Sequence, residues 1–126
     1  MTITHINPAD LHASPAYSHA TLVASTRTLY IGGTVGEEPD GRIPGDTRAQ
    51  TKQAVRNVLA ILAEVNADQN NVVKLTITLA ANASLREVYA AAAESWGKQP
   101  TATTILQVNS LSRPDALVQI EAIAVV

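Results

Sequence analysis

Apolar residues recur along the chain with two different periods, and the switches between them mark out its elements. Thr2–Ile6 alternates polar and apolar side chains, as a short edge strand does. Pro8 and Pro15 bracket a loop that leads into Tyr17-Ser18-His19. Ala20–Ser25 and Thr28–Ile31 are β-prone runs separated by Thr26-Arg27, which predicts a hairpin. Gly32-Gly33 ends the second run, and Pro39, Asp40-Gly41 and Pro44-Gly45 predict a loop between Gly36 and Gly45. Thr47 and Gln50 then have the spacing of a capping box. Ala54, Val55, Val58, Leu59, Ile61, Leu62 and Val65 follow with the 3.6-residue period of an amphipathic helix. Polar Asn66–Asn71 ends it. Val73, Leu75, Ile77 and Leu79 alternate with Lys74, Thr76 and Thr78, the pattern of a half-buried strand. Ser84 and Glu87 have the spacing of a second capping box, opening a helix through Leu85, Val88, Tyr89, Ala92 and Trp96 that Gly97 and Pro100 stop. Two strands, Ala102–Val108 and Leu117–Val125, close the chain around a loop containing Arg113-Pro114-Asp115.

The resulting order, β-β-α-β-α-β-β, predicts an α+β fold: a single sheet with two helices on one face and the other face uncovered. That uncovered face carries many apolar side chains, which points to a partner subunit. There are no internal repeats or interdomain linkers, and 126 residues suit one domain spanning residues 1–126.

Composition sharpens this picture. Apolar types make up 46% of the chain and charged residues only 16%, which supports a packed core and argues against disorder. The apolar material is mainly Ala, Val, Ile and Leu, with no Phe and one Trp, so burial per residue is modest and a subunit interface would add to it. The net charge of −2 offers no concentrated basic footprint for nucleic acid. The absence of Cys removes disulfides, thiolate metal sites and cysteine nucleophiles together, and fits a reducing compartment. Met1–Asp10 lacks the basic head and apolar run of a signal peptide, and no apolar stretch approaches the roughly 18–20 residues of a membrane span. A cytoplasmic protein without membrane contact is the expectation.

Candidate chemistry is sparse. Glu121 interrupts the apolar run Val118–Val126, where a carboxylate costs desolvation energy and its pKa tends to rise. Such a group suits general acid–base catalysis, although a solvent-facing Glu paired with a neighbouring Lys or Arg fits the same pattern. Tyr17 and His19 follow a Pro-bearing loop, where either binding or packing roles are common. Gly32-Gly33 would let a backbone N–H approach a ligand, or simply mark a turn. His5, His12 and His19 are spaced by seven and fit no metal-site pattern, so neither a metal nor a cofactor is expected.

Taken together, these segments resemble the YjgF/RidA family along nearly the whole chain. Pro15-Ala16-Tyr17-Ser18 resembles the family's Gly-Pro-Tyr-Ser entry, and Ile31-Gly32-Gly33-Thr34 its Ser-Gly-Gln turn. Pro39 through Asp46, with Gln50 and Asn57-Val58, is similar to its loop-into-helix pattern, and Val72-Val73-Lys74 to the opening of its third strand. The ending Gln119-Ile120-Glu121-Ala122-Ile123-Ala124-Val125 is similar to its C-terminal signature, the most specific of these matches. The resemblance implies a chorismate mutase-like homotrimer with small-molecule sites in clefts between subunits. It also implies hydrolysis of reactive imines or enamines.

Carried over residue by residue, the resemblance makes Tyr17 the cleft tyrosine, Gly33 a backbone donor and Glu121 the acid that positions or activates water. Deaminating members also hold the substrate carboxylate with an Arg in a Pro-x-Arg-Ser/Thr setting. Here Pro100-Thr101-Ala102-Thr103-Thr104 stands instead, and counting back from Val108 puts Thr103 at the Arg position. Thr cannot replace a bidentate guanidinium. Arg86, three residues before Tyr89, replaces the family's usual Asn and offers a cation from another direction. The resemblance thus implies either a deaminase-type hydrolase for a substrate other than the usual 2-imino acids, or a non-catalytic trimer that binds a small ligand. The family's labels as translation inhibitor or ribonuclease fit the acidic balance less well.

Overall fold

The computed structural model describes residues 2–15, 17–24 and 27–126. In chain order the elements are β1 (Thr2–Ile6), β2 (Ala20–Ala24), β3 (Thr28–Val35), α1 (Thr47–Ala63), a 3-10 turn (Gln69–Asn71), β4 (Val72–Ala80), α2 (Leu85–Trp96), β5 (Ala102–Val108) and β6 (Val118–Val125). Four strands form a mixed sheet in the order β3-β6-β4-β5. β4 and β5 are parallel, and α2 supplies the crossover that a parallel pair requires. β6 runs antiparallel to both of its neighbours.

Alternation along the strands decides which side becomes the core. Leu75, Ile77 and Leu79 of β4 and Val118, Ile120, Ala122 and Ala124 of β6 point to one face. There they meet Ala54, Val55, Val58 and Leu62 of α1 and Val88 and Trp96 of α2. Each fully buried Val or Leu contributes roughly 1.5–3 kcal/mol. Both helices therefore cover one face of the sheet, in the α+β arrangement that the pattern predicts. Trp96 ends α2 inside this core, where its buried Nε1 has no hydrogen-bond partner among the described residues.

The helix starts differ in detail from the sequence reading. Asp46, not Thr47, caps α1, its side chain accepting from the Ala49 N–H at 2.7 Å. Gln50 is buried and works as a clamp: its Nε2 donates to the carbonyls of Pro44 and Asp115, and its Oε1 accepts from the Leu117 N–H. Thr47 lies one residue inside the helix and accepts from the Ser84 N–H through Oγ1. Ser84 caps α2 as expected, taking the Glu87 N–H, but the return arm of that box comes from Thr47, because Glu87 turns to Arg48. Arg48 and Lys52 of α1 also both reach Glu94 of α2. The hydrogen bond from Lys52, backed by the charges of Arg48 and Lys52, holds the Glu94 carboxyl below its ordinary range against the opposing effect of desolvation.

Close approach of α1 to the sheet depends on Gly36, just past β3. A Cβ there would lie 2.3 Å from the backbone oxygen of Gln50. β1 and β2 form a separate antiparallel ribbon, from Thr2↔Ala24 to Ile6↔Ala20. The pairing of residues 20–25 with 28–31 is thus not made; Ser25 and Thr26 of that predicted hairpin, and Ala16 before it, lie outside the described residues. Hydroxyl groups draw the ribbon elsewhere. Thr21 Oγ1 donates to the Val73 carbonyl and Ser18 Oγ to the Pro100 carbonyl, both at 2.6 Å.

Candidate functional site

The uncovered face of the sheet is organised in rows, because side chains of register partners on neighbouring strands share a face. One row runs Glu121–Thr76–Thr104 across β6, β4 and β5. The next runs Tyr30–Ile123–Lys74–Ala102 across β3, β6, β4 and β5. On the other side of Glu121 lie Gln119, Thr78 and Leu106. Polar residues that read in sequence as the plain outward half of an alternating strand are thus gathered around one carboxylate.

Opposite Glu121 the β3–β6 register breaks between Ile31 and Thr34, so Gly32 and Gly33 together face one residue of β6. A bulge of this kind leaves a backbone residue outside the ladder and bends the strand. Tyr30, Ile31, Gly32, Lys74, Thr76, Glu121, Ala122 and Ile123 line a depression of about 330 Å³ there. Gly32 faces open space, whereas a Cβ on Gly33 would lie 2.6 Å from Cδ of Gln119. Gly33 is therefore the seat of the Gln119 amide, and Gly32 is the glycine that opens onto the depression.

Glu121 is exposed and, among the described residues, has no hydrogen-bond or ion-pair partner. The paired surface carboxylate considered from the sequence is not formed. Its apolar neighbours in sequence, Ile120 and Ala122, point into the core, so the carboxylate is not buried by them. Lys74 Nζ donates to Thr104 Oγ1 at 2.5 Å across the same face.

The other candidates lie apart from this cluster within one chain. Thr103 is the register partner of core residue Leu75, and its Oγ1 donates to the Thr101 carbonyl at 2.8 Å. It faces the helix side, so the position that shares a row with Glu121 is Thr104. Arg86 is exposed on the first turn of α2, in the helix layer and across the sheet from Glu121. Tyr17 stands before the ribbon strand β2, edge-on to the His19 ring at 5.5 Å, and does not line the depression. His5 bonds to Ser18 and His19 to the His12 carbonyl, which gives these histidines structural partners. Among the described residues, no three His, Cys, Asp or Glu side chains are grouped to hold a metal.

Lys74, Thr76, Thr104 and Gln119 were missed by residue chemistry. Their signal was the polar parity of β4 and β6, which becomes a site only once the register sets the rows side by side. No helix among the described residues is long and apolar enough to cross a membrane.

Comparison with known proteins places this arrangement in a family. The family model described as Endoribonuclease L-PSP matches residues 8–126. The 2-iminobutanoate/2-iminopropanoate deaminase of Mus musculus is 40% identical over 114 residues, which cover 86% of this chain and 80% of that protein. A RutC family protein of Pyrococcus abyssi is 35% identical over 113 residues, 86% of this chain and 84% of its own. Among solved structures, YyfB of the conserved Rid protein family from Yersinia pestis matches with a TM-score of 0.88 at 32% identity, covering 100% of both chains. RidA from an Antarctic Psychrobacter matches with a TM-score of 0.74 at 26% identity, covering 91% of this chain and 92% of that one. The chain, with its two helices on one face of a mixed sheet and its near full-length match to these relatives, belongs to the YjgF/RidA family.

Proposed function

We propose that the protein hydrolyses an imine or enamine in the cytoplasm, with Glu121 positioning and deprotonating the attacking water. The observation that carries this is a carboxylate, unpartnered among the described residues, beside Thr76 in a depression that a glycine bulge opens. Water held by Glu121 adds through oxygen to the imine carbon, and the C=N π pair moves to nitrogen. The proton taken by Glu121 passes to that nitrogen; Glu121 then takes the proton of the new carbinol hydroxyl and delivers it to the nitrogen as the C–N bond breaks, so ammonia leaves a carbonyl product. Thr76 has the hydroxyl to orient the water from the neighbouring strand, and Gly32 leaves room for the substrate. The relatives named as 2-iminobutanoate/2-iminopropanoate deaminases support this reaction class.

The site is completed between subunits of a homotrimer, which would carry Tyr17 and Arg86 toward clefts they do not reach within one chain. The support is the apolar exposure of the uncovered face, where Tyr30 is 75% and Leu106 49% accessible. One observation favours a second reading, a trimer that binds a small ligand without turning it over. The β5 positions in the rows around Glu121 are Ala102, Thr104 and Leu106, so the guanidinium clamp of deaminating members has no counterpart there.

Glu121→Gln separates the two. It keeps the shape and removes the base, so turnover in a semicarbazide-trapping assay falls by roughly 10²–10⁴. Unchanged turnover would remove Glu121 as the base. No turnover by the wild-type protein across imine substrates, with affinity altered by the substitution, would establish the binder.

A further inference from the structure

Glu121 and Lys74 line the same depression with opposite charges, yet they form no ion pair with each other. They are diagonal neighbours: Glu121 is the register partner of Thr76, and Lys74 lies two residues before Thr76 on the same face of β4. The Lys74 ammonium is turned away toward β5, where Thr104 Oγ1 accepts one of its hydrogens. Its three donors leave two for a ligand, while Glu121 keeps its full acceptor capacity. Lys74 is the one cation among the residues that line the depression. The floor between the charges is Thr76, and the flank is the apolar pair Ile123 and Tyr30.

We propose that Lys74 is the anion-binding residue of this depression and that, with Glu121, it selects a zwitterionic ligand. A small molecule carrying a carboxylate and an adjacent ammonium or iminium group would set its carboxylate on Lys74 and its nitrogen toward Glu121. Its apolar substituent would rest on Ile123 and Tyr30. This rests on the reading of the depression as the ligand site. It goes beyond that reading by naming the residue that takes the carboxylate. A lysine presents a point charge and not a planar fork, so it holds a carboxylate less directionally than an arginine. The nitrogen end then matters more to affinity than it would beside a bidentate clamp. Charge at both ends matches the ligand to the site and disfavours singly charged competitors.

The test uses three stable probes on the intact protein: 2-aminobutanoate as zwitterion, butanoate as anion and propylamine as cation. Affinities are read by amide chemical-shift titration of wild type, Lys74→Met, Lys74→Arg and Glu121→Gln. Wild type should bind the zwitterion roughly tenfold or more tightly than either singly charged probe, the scale of one charge-assisted hydrogen bond. Lys74→Met should reduce the zwitterion to the affinity of propylamine or below without weakening propylamine, and Lys74→Arg should restore the zwitterion. Retained amide spectra show that the Met variant is folded, and the Arg variant tests the charge independently. Equal zwitterion affinity in wild type and Lys74→Met would overturn the proposal, as would failure of wild type to bind any probe. In either case, loss of imine turnover in Glu121→Gln would leave the hydrolytic reading standing.

Discussion

On β5, adjacent threonines face opposite sides of the sheet. Thr103 is bonded to the Thr101 carbonyl on the helix side, and Thr104 accepts from Lys74 on the Glu121 side. Their substitutions to arginine should diverge accordingly. Thr104→Arg adds a bidentate partner for a carboxylate beside Lys74, and should raise hydrolysis of 2-imino acids by roughly ten- to hundredfold in the trapping assay. Thr103→Arg should give no gain and lower the melting temperature, because its stem enters the layer that holds Leu75. Gain in the 103 variant alone would mean that the rows are misassigned. The chemistry of this position was legible in the sequence as a missing Arg, but its face was not. A count back from Val108 that slips by one residue turns every side chain to the other side of the sheet. Glu121 was legible because it breaks an apolar run, whereas Lys74 and Thr76 look like ordinary outward residues until β6 is laid beside them.

Among the elements, strongly periodic segments were read almost to the residue: β5 is Ala102–Val108 as its pattern predicts, and α2 ends at Trp96. Pairing was the part that local pattern did not carry. Ala20–Ala24 has strand character toward either neighbour, and the hydroxyls of Ser18 and Thr21 lead it to carbonyls near β4. Capping went astray for a related reason. Thr47 and Gln50 have the right spacing, but Asp46 is an equally good cap one residue earlier, and Gln50 is taken up by a long-range clamp to residues 115 and 117. The seam between α1 and β3 has no slack at Gly36. Gly36→Ala should destabilise the fold by about 1–3 kcal/mol, the usual penalty of overpacking, because backbone must move to admit the methyl group. Urea denaturation would measure this, and a neutral result would show that α1 shifts freely along the sheet.

For the whole molecule, one face of the sheet is sealed by two helices and the other offers Tyr30, Leu106, Val108 and Ile123 to whatever lies against it. A homotrimer stable at micromolar concentration is expected from sedimentation equilibrium, and a stable monomer at that concentration would remove the inter-subunit cleft. The fold class was fully legible because it follows from element order and amphipathic faces. The site was half legible because it depends on which faces meet. This two-sided construction also separates two kinds of signal. The chain has a single tryptophan, and Trp96 sits in the sealed layer with its indole N–H unpartnered among the described residues. Its emission therefore belongs to one chromophore in an apolar setting, spectrally blue while the helix layer is packed and shifting red when water enters. A ligand seated on the far side of the sheet leaves that light unchanged, so one wavelength follows the integrity of the core while the binding face is titrated independently.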